Sequence, residues 1–143
     1  MLLESDLDIA ARTIYSEARG EAWDGKVAIA RVLINRWRSD KGQWAKDDTL
    51  ASACLRHVQL STWTKDDPNF PDVVRVSLSN LMFRDCWRAV LHAIDMGIDP
   101  THGSLYYTTI SGHPPWSEGA TPIVEIGGYR FFTSIQNEGK CND

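Results

Sequence analysis

A chain of 143 residues with 43% hydrophobic and 24% charged side chains has the size and balance of one globular domain, since domains most often run to roughly 100–150 residues. Its formal net charge of −4 argues against nucleic acid as a partner, because such domains present a basic surface to phosphate. No apolar run reaches the about 18 residues of a spanning helix, so no membrane insertion is expected.

From the N-terminus, Ser5–Arg19 predicts a helix. Ser5 or Asp6 can cap it, Leu7, Ala10, Ala11, Ile14 and Ala18 follow the helical period, and Gly20 stops it. Asp24–Trp37 predicts a second helix with Asp24 as N-cap. Val27, Ala30 and Ile34 with Ile29, Leu33 and Trp37 give it a broad apolar face, as of a helix buried on most sides. The polar stretch Arg38–Asp48 leads to a short helical segment at Thr49–Leu55, and His57–Trp63 reads as loop or extended chain. Lys65–Pro71 reads as loop, and Asn80–Met96 as a helix whose face is Leu81, Trp87, Val90, Leu91 and Ile94.

After Asp99 the pattern changes. A turn at Asp99–Ser104 precedes an extended segment at Tyr106 and Tyr107, and the Gly- and Pro-rich stretch 111–122 reads as loop. Ile123–Ile126 and Tyr129–Ser134 flank Gly127-Gly128, a two-residue hairpin signal, and Gln136–Asp143 is expected to fray. The expectation is a mainly helical α+β fold with a small C-terminal β-sheet, a single domain over 1–143 with its core at about 5–135. Cys54, Cys86 and Cys141 are odd in number and lack C-x-x-C spacing, which favours buried free thiols. Trp23, Trp37, Trp44 and Trp87 read as packing residues, and a monomer is expected.

The chemistry concentrates in Tyr15-Ser-Glu-Ala-Arg-Gly-Glu21. Glu17 and Glu21 would share a face of a continued helix, but Gly20 interrupts it. A carboxyl group at a helix end among aromatic and apolar neighbours is partly desolvated, which favours its protonated form and suits a general acid. The same spacing also fits an ordinary solvated face with Arg12 and Arg19 as salt partners, and spacing alone leaves both readings open.

Longer blocks carry more. Ala11-Arg-Thr-Ile-Tyr-Ser-Glu-Ala-Arg-Gly-Glu21 followed by Asp24–Arg36, then Val58-Gln-Leu-Ser-Thr-Trp63, then Asp99-Pro-Thr-His-Gly-Ser-Leu-Tyr-Tyr107 with Trp116 and Ile126–Phe132, resemble in order and spacing the SleB/CwlJ cell-wall hydrolase family. The resemblance runs from about Asp8 to Phe132, and departs from the family pattern at Leu60, Thr62 and Tyr129. It implies a lysozyme-like, lytic transglycosylase-like fold that cleaves peptidoglycan glycan strands. It places the catalytic acid at Glu17 and substrate contacts at Glu21, Gln59, Ser61, Tyr106, Tyr107 and Trp116. Strand alternation sends Tyr106 and Tyr107 to opposite faces, with Tyr107 the one expected toward substrate. No cofactor is implied.

The lytic route needs one acid, which protonates the glycosidic oxygen and then serves as base while the muramic C6 hydroxyl attacks C1. A hydrolytic muramidase would need a second carboxylate, for which Asp66, Asp67 and Asp99 are the loop candidates. Against a zinc amidase or endopeptidase, His57, His92, His102 and His113 show no metal-ligand spacing. An inactive glycan-binding module would not be expected to keep Glu17. The N-terminus lacks a basic region and reads as no signal peptide. The expectation is synthesis in the cytoplasm and action on the cell wall after release, helped by a holin-type partner as for a phage endolysin, or carriage in a phage-like particle.

Overall fold

The computed structural model describes residues 2–39, 48–56, 63 and 65–135. Among these, helices α1 (Glu4–Ala18), α2 (Trp23–Arg38), α3 (Leu50–Leu55), α4 (Phe70–Arg75) and α5 (Leu81–Asp95) precede strands β1 (Tyr106–Thr109), β2 (Val124–Ile126) and β3 (Tyr129–Phe132). The strands form an antiparallel sheet in the order β1-β3-β2, with Tyr107 opposite Phe131 and Ile126 opposite Tyr129. The mainly helical α+β class is as expected from the sequence.

Helix α2 is the spine. Val27, Ile29, Ala30, Leu33 and Ile34 are buried, and α1, α3 and α5 pack around it while the sheet closes one side. The buried faces of α1, α2 and α5 carry many small residues: Ala10, Ala11 and Ala18, then Ala28 and Ala30, then Cys86, Ala89 and Ala93. Small side chains let helix axes approach, and apolar area leaves water all along the seam.

The caps differ from the sequence reading. Leu3 occupies the N-cap of α1, and the buried Asp6 carboxylate accepts the Leu3 N–H at 2.9 Å and the Ala51 N–H at 3.0 Å. One acidic side chain thus serves the donor-rich starts of two helices. Ala22, not Asp24, is the N-cap of α2, with Asp24 in the first turn. Thr49 and Asn80 cap α3 and α5 through side-chain oxygens.

Three further expectations are corrected. The loop at Lys65–Pro71 ends early, because Pro71 fits the first turn of α4, where its missing N–H costs nothing. The buried face of α5 is Phe83, Cys86, Ala89, Val90 and Ala93, whereas Leu81 is 70% and Leu91 44% exposed. Trp23 is 42% exposed at the start of α2, its ring beside His92, and is not a packing residue. Cys54 and Cys86 are buried free thiols, and burial pushes the Cys86 thiol up to about 11. Trp44 and Cys141 lie outside the described residues.

Candidate active site

Glu17 stands in the last turn of α1, half-buried, between buried Tyr15 and buried Ala18. Carbonyls of a final helical turn have no helical donor. The Glu17 carbonyl is instead reached by the Tyr129 hydroxyl, which donates to it at 3.3 Å from the first residue of β3. The C-terminal hairpin is thereby fastened to the end of α1, and the backbone carrying the candidate acid is held in place.

Glu21 does not continue α1. Its N–H returns to the Ala18 carbonyl at 3.0 Å, and its side chain is exposed on the link to α2. It faces the β2–β3 turn, where a Cβ on Gly128 would lie 3.8 Å from its Oε2. Gly127, at φ +59°, makes the turn, and a Cβ there would come within 3.3 Å of the Gly25 Cα. Two glycine backbones therefore cross at near contact, which brings the hairpin against the α1–α2 junction.

Beneath the junction lies an aromatic cluster. The Tyr107 ring meets Tyr129 edge-on at 5.9 Å and lies 6.2 Å from Phe131. Burial and the nearby Glu17 charge hold the Tyr107 phenol well above its ordinary range, and burial with the Glu21 and Glu17 charges pushes Tyr129 up to about 12. Both phenols are neutral donors at any physiological pH. The fully buried Arg36 donates to the Leu105 carbonyl at 2.8 Å, with its guanidinium 6.0 Å from the Tyr107 ring.

Arg12 and Arg19, the partners an ordinary solvated face would give the glutamates, both reach toward α4. Arg12 bonds Asp8 and the Val73 and Val76 carbonyls, while Arg19 bonds Asn69 and lies over the Tyr15 ring.

The structure separates the other sequence-predicted site residues. Tyr106 and Tyr107 point to opposite faces of the sheet, as alternation requires. Tyr107 turns toward Glu17 but is only 7% exposed. Tyr106 is fully buried on the far face, where Trp116 packs on it and on Phe132. That cluster is remote from the two glutamates in the sense that the sheet lies between. Gln59 and Ser61 lie outside the described residues, as does His57. Trp63, which closes the same sequence block, donates to Thr13 Oγ1 at 3.0 Å, one turn before Glu17 on α1.

Asp99 is occupied elsewhere. It accepts hydrogen bonds from Asn35, from the Thr101 hydroxyl and N–H, and from the Gly103 N–H, and pairs with Arg31. Burial by itself would raise its pKa, but these donors outweigh burial and hold it below the usual range. His102 beside it adopts φ +55°, as the turn demands. Among the described residues, no three His, Cys, Asp or Glu side chains gather as ligands for a metal ion. Sequence reasoning marked Tyr129 only as a departure from the family pattern and did not foresee its bond to the Glu17 carbonyl. The residue's own signal was its place one alternation before Phe131, directly after a Gly-Gly turn.

A half-buried carboxyl group with a fixed main chain, neutral phenols behind it and an open carboxylate beside it can give up and recover a proton at a bound oxygen. Comparison with known proteins gives the family. The family profile described as Cell Wall Hydrolase matches residues 20–132, a span that begins just after Glu17. The spore cortex-lytic enzyme of Bacillus subtilis is 30% identical over 128 residues, 89% of this chain and 37% of its own length. That of Oceanobacillus iheyensis is 31% identical over 137 residues, 90% of this chain and 41% of its own. The chain therefore spans about two fifths of these curated relatives. Among solved structures, the catalytic domain of the Bacillus cereus SleB protein matches with a TM-score of 0.68 at 26% identity, over 92% of each chain. The catalytic domain of the germination-specific lytic transglycosylase SleB from Bacillus anthracis matches with a TM-score of 0.68 at 27% identity, over 91% of this chain and 95% of that one.

Proposed function

Because this chain belongs to the cell wall hydrolase family, we propose that it cuts the glycan strands of peptidoglycan as a lytic transglycosylase, with Glu17 as its single general acid and base. The observation that carries this reading is a half-buried glutamate at the end of a core helix, its carbonyl fastened by Tyr129. Glu17 protonates the glycosidic oxygen as the bond to C1 breaks. The resulting carboxylate takes the proton of the muramic C6 hydroxyl as that oxygen joins C1, which leaves a 1,6-anhydro end and consumes no water.

A hydrolase of the ordinary kind would need a second carboxylate positioned for water or for C1. Of the loop candidates, Asp99 is committed to its turn and Asp67 accepts the Asn69 N–H in the turn before α4. The solved relative named a lytic transglycosylase supports the single-acid scheme. In this scheme Glu21, Gln59 and Ser61 bind sugar hydroxyls, while Tyr106 and Trp116 serve packing.

The test is digestion of purified sacculi by wild type and by Glu17→Gln, with soluble products identified by mass spectrometry. Glycan-cut fragments with wild type, and none with a folded Glu17→Gln, are expected. Intact glycan with cleaved peptides would overturn the glycosidic reading.

A further inference from the structure

Tyr107 carries a hydroxyl with no exposed surface and no hydrogen-bond partner. Proteins seldom leave such a group unpaired, because a buried donor loses its water and gains nothing in return. The Tyr129 hydroxyl, on the ring edge-on to Tyr107, is already committed to the Glu17 carbonyl. The other buried orphan among the described residues, Arg130 Nε, lies on a guanidinium anchored through another nitrogen to the Gly112 carbonyl. Tyr107 is also fixed in place, edge-on to Tyr129 and flanked by Phe131, with the buried Arg36 guanidinium behind it.

We propose that Tyr107 is a positioning residue for the acid: its buried hydroxyl is the donor that receives the Glu17 carboxylate after that group has given up its proton. The inference rests on the reading of Glu17 as general acid and base. In this structure the Tyr107 hydroxyl makes no hydrogen bond, while Glu17 stands half-buried at the end of α1. Once the proton has passed to the glycosidic oxygen and the bond to C1 has broken, a change of Glu17 rotamer forms the Tyr107 O–H···O bond. The phenol keeps its own proton, since burial and the Glu17 charge set it far above the ordinary range. The bond is released when Glu17 recovers a proton from the attacking C6 hydroxyl. A donor used only by the charged state stabilises that state selectively, which is what a catalytic contact must do.

Tyr107→Phe separates this role from packing, because the ring remains and only the orphan oxygen goes. A hydroxyl that serves the fold would lower the melting temperature when removed. One reserved for Glu17 leaves the melting temperature unchanged or raises it. On isolated glycan strands kcat should fall about tenfold, the scale of one hydrogen bond to a charged group, with KM changed less than about twofold. The basic limb of the pH profile should move to higher pH, because the carboxylate has lost a donor that favoured its ionised form. An unchanged kcat, an unmoved limb, or a lower melting temperature with an unmoved limb would each overturn the proposal. If instead Glu17→Gln kept full activity, the reading of Glu17 itself would fail, a result distinct from a Tyr107→Phe enzyme that behaves as wild type beside an inactive Glu17→Gln.

Discussion

Replacing Asp99 by alanine removes the acceptor at the centre of the turn that delivers the chain into β1. Four hydrogen bonds converge on that carboxylate: Asn35 Nδ2, the Thr101 N–H and the Gly103 N–H at 2.8 Å each, and the Thr101 hydroxyl at 2.7 Å. Arg31 adds a charge at 3.7 Å, and the Asp99 side chain is 15% exposed. A hydrogen bond to a charged group is worth about 1.5–3 kcal/mol taken singly, and members of one network do not add. Gly103 is exposed and its N–H can turn to water, whereas Thr101 is fully buried and Asn35 half-buried. Counting two bonds as lost without replacement gives a cost of about 3–4 kcal/mol. Unfolding entropy of roughly 2 cal/mol/K per residue converts this to a fall of about 10 °C in melting temperature.

The pH dependence follows from the same contacts. The folded pKa of Asp99 is depressed, so its contribution is complete above the carboxyl range of the unfolded chain and is lost as pH falls through the folded value. Wild type should therefore lose stability on acidification more steeply than Asp99→Ala. Asp99→Asn should be nearly as damaging, because the new amide presents a donor to donors. Thermal unfolding by circular dichroism between neutral and acid pH measures all three. A loss below about 1 kcal/mol for Asp99→Ala, or parallel decline of the two proteins with acid, would refute the reasoning.

Cys86 should resist alkylation in the native protein at mildly alkaline pH and react once unfolded, because its buried thiol has been pushed up to about 11; mass spectrometry after a short iodoacetamide pulse checks this, and rapid native labelling would contradict it. Gly127→Ala forces a side chain into φ +59° and within 3.3 Å of the Gly25 Cα, so stability should fall by about 1–2 kcal/mol. Activity should fall with it at temperatures where the variant is folded, since the same turn presses Tyr129 onto Glu17. Full activity in a destabilised Gly127→Ala would show that the hairpin does not set the acid's position.

Local periodicity made α2 readable, because large apolar residues mark every turn of it. The face of α5 was misread for a physical reason: close helix packing uses Cys86, Ala89 and Ala93, and reading by side-chain bulk favours Leu81 and Leu91, which face water. Pro71 looked like a breaker and is a first-turn residue of α4. At the candidate site, Glu17 was singled out by its sequence block, but its connection to Tyr129 spans 112 residues and has no local signal. The orientation of Tyr106 and Tyr107 followed from alternation, yet which of them was open to substrate depended on the helices packed against the sheet. Tyr107 is covered by those helices, and Tyr106 by Trp116.

The measurement that tests the central claim most directly is digestion of sacculi in water enriched with heavy oxygen, followed by mass spectrometry of the new glycan ends. A lytic reaction with Glu17 as acid and base joins C6 oxygen to C1, so the new ends should be anhydro-muramic and carry no heavy oxygen. Reducing ends that carry the heavy label would mean that water attacks C1, and would contradict the account.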